Sequence, residues 1–145
     1  MGEVACIFCE IIKGRRQAHM VVEAEDAVAF LDARPLFKGH TLLVPREHYE
    51  TLTDLPEEML GSYFGHARRL AGAMESVLGA AGSFVAMNNR VSQSVPHLHV
   101  HVVPRNRKDG LRGFFWPRQK YASDEEAADY AERLRTAVTG ASRGR

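Results

Sequence analysis

Cysteine is nearly absent: two residues in 145, at positions 6 and 9. So small a number excludes a disulfide framework. An excess of charge of one sign is missing too, since 19 Lys and Arg stand against 18 Asp and Glu, a formal net charge of +1. That balance gives no long-range pull toward nucleic acid or an anionic membrane surface. No apolar run approaches the roughly 18 residues of a membrane span. The opening MGEVACIFCEIIKG carries Glu3 and Glu10 and has no basic flank before a long apolar stretch, so it does not read as a secretory signal. Position 6 is Cys6 rather than the Ser or Thr of a myristoylation site. A cytoplasmic protein is the expectation. Repeats and linkers are also lacking. The 45% hydrophobic content suits one domain with its own core, expected over residues 1–139, with a disordered basic tail at 140–145.

What is present has a clear order. Residues 7–13 suit a short helical turn ended by Gly14. The stretch HMVVEAEDAVAFLD, with apolar runs at 20–22 and 27–31, predicts a hairpin. GHTLLVP is a compact strand stopped by Pro45. A long helix follows, with Asp54 as its expected cap, Pro56 and Glu57 in its first turn and Gly79 at its end. Its apolar positions run from Met59 through Tyr63, Ala67, Leu70 and Met74 to Leu78. SFVAMN and HLHVHVV read as strands. A final helix opens with the capping box Ser123 and Glu126 and is expected to bury Ala127, Tyr130, Ala131 and Leu134. The fold class is α+β, a mainly antiparallel five-stranded sheet with one long helix and a C-terminal helix.

Three of the seven histidines alternate in PHLHVHVVPR, at 97, 99 and 101. On a strand they share one face, and Leu98, Val100 and Val102 fill the other. A polar outward face is the bland explanation, and strict spacing in so short a run argues against it. Neutral imidazole offers a lone pair that can bind a metal or attack phosphorus. A neighbouring imidazole can stabilise phosphate charge or protonate a leaving group.

HLHVHVV resembles the histidine-triad (HIT) motif, His-x-His-x-His with two further apolar residues. CIFCEIIKG and AFLDARPLFKGHTLLVPREH fall in the family's order and at about its spacing, so the resemblance spans residues 6 to 105. It implies a HIT-like fold and a nucleotide hydrolase or transferase. His99 then becomes the nucleophile that attacks an α-phosphate, His101 contacts that phosphate and assists the leaving group, and His97 orients its neighbours or binds a metal. Asp32 is expected on the ribose, with Ile7, Phe8, Phe30 and Leu31 as the base pocket and His40 beside the site. In relatives a glycine-rich loop ends Gly-Gln-x-Val-x-His, whereas this chain has MNNRVSQSVPH, with Ser92 in place of the glycine and about two residues fewer. Asn88 or Asn89, Asn89 by preference, takes the phosphate-contacting asparagine's place, with Gln93 and Ser94 as donors. Ordinary turn chemistry explains these polar residues equally well.

Cys6 and Cys9 have the spacing of half a zinc site. The resemblance supplies His48 and His97 as the other ligands of a structural zinc, with no catalytic metal required. Two buried thiols or a redox pair are the alternatives, the latter lacking a thioredoxin-like context. After the triad, RNRKDGLRGFFWPRQKY interleaves six basic residues with Phe114, Phe115, Trp116 and Tyr121, a composition fit for stacking a base or for packing on the sheet. Nucleic acid is not the expected partner.

The implied activity is hydrolysis of nucleoside phosphoramidates or dinucleoside polyphosphates through a nucleotidyl-histidine, with adenine the expected base and a homodimer the expected assembly. A transferase, a binding module with vestigial activity, and a metal protein using all three triad histidines are the competing readings.

Overall fold

The computed structural model describes residues 5–111 and 118–143. The chain divides into two compact units, Met1–Asp109 and Gly110–Arg145, where one domain over 1–139 was expected.

In the first unit, helix α1 (Ile7–Ile12) is followed by β1 (Met20–Glu23), β2 (Ala27–Leu31), β3 (Thr41–Pro45), helix α2 (Leu60–Ser76), β4 (Gly82–Ala86) and β5 (Val100–Arg105). The five strands form one antiparallel sheet in the order β1-β2-β3-β5-β4. The period of two explains the core. Ala27, Ala29, Leu43, Val100 and Val102 point to one face and meet Tyr63, Ala67, Leu70 and Met74 of α2. Val28, Phe30, Leu42 and Val44 point to the other and meet Phe8 of α1. Because both faces of β2 and β3 are covered, those strands are apolar without alternation.

Several expectations change. Asp54 does not cap the long helix. Its carboxylate accepts from the Thr51 amide and hydroxyl, both at 3.0 Å, and closes a separate turn at Leu52–Asp54. A second turn, Glu57–Met59, intervenes before α2. Gly79 does end that helix: at φ +69 it donates to Glu75, while Ala80 donates to Met74. Regular pairing in the last strand begins at Val100, not His97, because the Leu98 amide donates to the Tyr49 carbonyl instead. The histidine side is no open polar face, since His97 and His99 are buried.

In the second unit, α3 (Asp124–Arg143) starts with the Glu126 amide donating to Ser123 Oγ. It runs into the stretch expected as a disordered tail, and residues 144 and 145 lie outside the described residues. Its apolar stripe is not buried: Tyr130, Ala131 and Leu134 are exposed, and Tyr121 against Tyr130 is its ring contact. Phe114, Phe115 and Trp116 lie outside the described residues.

Candidate active site and metal centre

Backbone groups fix the tautomers of the four central histidines. The His97 ring donates from Nε2 to the Pro45 carbonyl at 2.9 Å, so its Nδ1 carries a lone pair. His99 donates from Nδ1 to the His97 carbonyl at 2.8 Å, so its lone pair is on Nε2. The Leu36 amide donates to His40 Nδ1 at 3.0 Å. His40 must therefore donate from Nε2, and His101 Nδ1 accepts at 3.0 Å. That leaves the His101 hydrogen on Nε2.

His99 and His101 open on a cleft of about 1150 Å³. Ile7, Phe8, Phe30, Leu31, Asp32 and Ser94 line it too, which brings most of the expected pocket together. Every buried side-chain nitrogen or oxygen among the described residues has a hydrogen-bond partner. His99 Nε2 makes no hydrogen bond among them, so it is open to the cleft. Phe8 meets the ring edge-on with centroids 5.0 Å apart, and Phe30 packs on Phe8 at 5.4 Å. Burial lowers the pKa of His99 and His40. Burial, and then the charges of His99 and His40, push that of His101 down to about 4. These imidazoles are neutral near pH 7.

A smaller cavity of about 350 Å³ also borders His101 and is lined by His40, Asn88, Leu36, Phe84, Ala86 and Met87. Asp32, Arg34 and His101 belong to both cavities. The loop before the triad corrects two expectations. Asn89 and Gln93 line neither cavity. Asn89 Oδ1 accepts from the Leu52 amide at 2.8 Å. Gln93 donates to the Glu50 carbonyl at 2.7 Å and accepts from the Arg90 amide at 2.8 Å. Both brace the loop, and Asn88 is the asparagine at the cavity. Ser92, expected to replace a glycine, adopts φ +61, the left-handed backbone that glycine serves. Arg16, Gln17, His19 and Arg34 line the large cleft and carried no sequence signal.

His97 lines neither cavity. It faces the cysteines: Cys6 Sγ and Cys9 Sγ lie 3.4 and 3.6 Å from its Nδ1, and His48 Nδ1 lies 3.3 Å from Cys9 Sγ. All four donor atoms lie within 4.8 Å of one another. Around a tetrahedral ion with metal–sulfur and metal–nitrogen distances of about 2.3 and 2.0–2.1 Å, the sulfur–nitrogen edge is about 3.5 Å. The cluster therefore has the dimensions and the lone pairs of a two-cysteine, two-histidine metal site. Burial, and then its contact with Cys6, push the Cys9 thiol up to about 11. Asp32, His40 and His101 also lie close together, but the His40–His101 hydrogen bond occupies both facing nitrogens, so their lone pairs do not converge on an ion. The metal protein built on all three triad histidines is not what the structure holds: only His97 joins the cysteines.

The HIT domain model matches residues 13–108. The chain belongs to the HIT family. It is 41% identical over 107 residues to an uncharacterised HIT-like protein of Methanocaldococcus jannaschii, covering 72% of this chain and 82% of that one. It is 36% identical over 125 residues to the adenosine 5′-monophosphoramidase of Saccharomyces cerevisiae, covering 85% and 77%. The HIT fold is shared with a crystal structure of a HIT family protein from Bacillus anthracis, with TM-score 0.81, 30% identity, and 91% and 96% covered. A zinc-bound histidine-triad protein from Mycobacterium smegmatis superposes with TM-score 0.69 at 34% identity, covering 92% and 97%.

Proposed function

We propose that this HIT protein hydrolyses nucleoside 5′-phosphate derivatives at the α-phosphate through a covalent nucleotidyl-His99. The observation that carries the reading is the open Nε2 of His99, unprotonated because Nδ1 is committed to the His97 carbonyl. The base enters beside Phe8 and Phe30, the ribose beside Asp32, and the α-phosphate lies between His99 and His101. The Nε2 lone pair forms the N–P bond as the bond to the leaving group breaks. The departing atom keeps the electron pair, accepts a hydrogen bond from the neutral His101 Nε2–H, and takes its proton from water. The imidazolium thus formed keeps its Nδ1 hydrogen on the His97 carbonyl, which stabilises the positive charge. Water then attacks phosphorus, the N–P bond breaks, and a nucleoside monophosphate leaves. The yeast phosphoramidase supports an adenosine phosphoramidate as substrate.

Cys6, Cys9, His48 and His97 would hold a structural zinc, a reading that the edge lengths and the zinc-bound relative support. Four protein ligands leave no open position for a substrate. A zinc held there would tie α1 to the residue whose carbonyl orients His99. Exposed Phe64 and Val85, with Val77 and Leu78 just past α2, support a homodimer, which sedimentation would test. No helix among the described residues is long and apolar enough to cross a membrane, and the cytoplasm remains the expected place.

The test is acid quenching of the wild type with adenosine phosphoramidate, followed by peptide mass spectrometry. A nucleotidyl adduct on the peptide carrying His99, lost in His99→Ala, is expected. Turnover by His99→Ala at the wild-type rate would refute the assignment.

A further inference from the structure

The joint between the two cavities holds a cation that the mechanism above does not use. Arg34 lines the large cleft and the small cavity alike, as do Asp32 and His101. A phosphate held at His101 therefore borders both cavities, on the rim that they share with Arg34. Arg34 is exposed, and no carboxylate or carbonyl engages its guanidinium among the described residues.

Its backbone is not free to wander. The Arg34 amide donates to Asp32 Oδ1 at 2.9 Å, Pro35 fixes the following φ, and the Leu36 amide is tied to His40 Nδ1. The same loop is closed by the Asp32 amide on the His40 carbonyl at 2.9 Å and the His40 amide on the Phe37 carbonyl at 3.0 Å. That bracing fixes where the Arg34 side chain leaves the backbone, at the rim shared by the two cavities.

The chemistry there is otherwise unsuited to negative charge. The small cavity offers Asn88, two neutral imidazoles and apolar walls, and Asp32 adds a carboxylate. An ammonia or amine leaving group needs no cation in that place. A leaving group that carries its own negative charge does, because charge builds on it as the bond to the α-phosphorus breaks.

We infer that Arg34 is a specificity-determining residue which selects nucleotides whose leaving group is a further phosphoryl group, held at the mouth of the small cavity, over those with an uncharged amine. The inference rests on the α-phosphate chemistry proposed above. In the reaction the bond between the α-phosphorus and the bridging oxygen breaks. The electron pair stays on that oxygen, and Arg34 neutralises the resulting phosphate while His99 takes the nucleotidyl group.

The experiment compares kcat/KM for diadenosine triphosphate with kcat/KM for adenosine 5′-phosphoramidate in the wild type, Arg34→Gln and Arg34→Lys. The ratio is expected to fall about tenfold in Arg34→Gln, the scale of one charge-assisted hydrogen bond, and to be largely restored in Arg34→Lys. An unchanged ratio in Arg34→Gln, or a wild type that turns over the phosphoramidate alone, would overturn the role of Arg34 and leave the His99 mechanism standing. A wild type inert on both would overturn the mechanism and this inference together. Because the readout is a ratio within each variant, partial loss of folded protein does not move it.

Discussion

His99 Nδ1 lies 2.8 Å from the carbonyl oxygen of His97, two residues earlier in the same chain. That hydrogen bond sets which nitrogen of His99 can act. His99→Ala should lower kcat by about 10⁴-fold or more, the scale on which loss of a nucleophile acts, while a non-hydrolysable adenosine monophosphate analogue still binds. Calorimetry together with a turnover assay checks both halves.

The metal cluster makes an independent prediction. Metal analysis of the purified protein should give about one zinc per chain, since four protein donors complete one tetrahedral site. Cys6→Ser should lose it and melt at lower temperature, because metal affinity in such a site contributes to folding. His99→Ala should keep its zinc. Loss of zinc in His99→Ala would show that the triad and the metal site are not separate.

His40 holds His101 in one tautomer and also accepts from the Leu36 amide. His40→Ala strands that amide, at a cost of about 1–3 kcal/mol in stability. It also frees the His101 ring to rotate or swap tautomers, so kcat should fall about 10–100-fold, the range seen when the partner orienting a site imidazole is removed. A denaturation curve and steady-state kinetics separate the two effects.

The pH dependence has a definite sign. A histidine in the unfolded chain gains its proton near pH 6.5, whereas burial and the neighbouring His99 and His40 hold His101 at about 4. Between those values the unfolded state binds more protons, so stability is lost as pH falls from about 6.5 toward about 4 and is fully present above 6.5. In ¹⁵N spectra the His101 ring should remain neutral, with hydrogen on Nε2, at pH 6. A ring that titrates at 6.5 would contradict this.

Ser92 makes the fifth test. Its φ of +61 costs a residue with a Cβ about 1–2 kcal/mol, and glycine's extra freedom in the unfolded chain offsets part of the relief. Ser92→Gly should raise stability by about 0.5–1 kcal/mol, read from the urea midpoint.

Much of this was legible in the residues. Continuous apolar runs placed β2 and β3, period-two alternation placed the side chains flanking the triad, and the Cys-x-x-Cys pair pointed to the four-donor cluster before any geometry. The reading went astray where a local signal served another element. Asp54 and Pro56 look like a helix start, yet Thr51 takes the Asp54 carboxylate for its own turn. Asn89 and Gln93 look like phosphate ligands, yet backbone amides at Leu52 and Arg90 reach them first. Arg34 carried no motif at all. Its place depends on how a loop closes between two strands, which spacing does not encode.

The triad spells one letter three times and yields three different reagents. Pro45, the carbonyl of residue 97 and the Leu36 amide, acting through His40, leave in turn a lone pair facing the cysteines, a lone pair facing the cleft and a hydrogen-bond donor. A designer who grafts the alternating motif onto another sheet without those distant backbone groups transplants the alphabet and leaves the grammar behind.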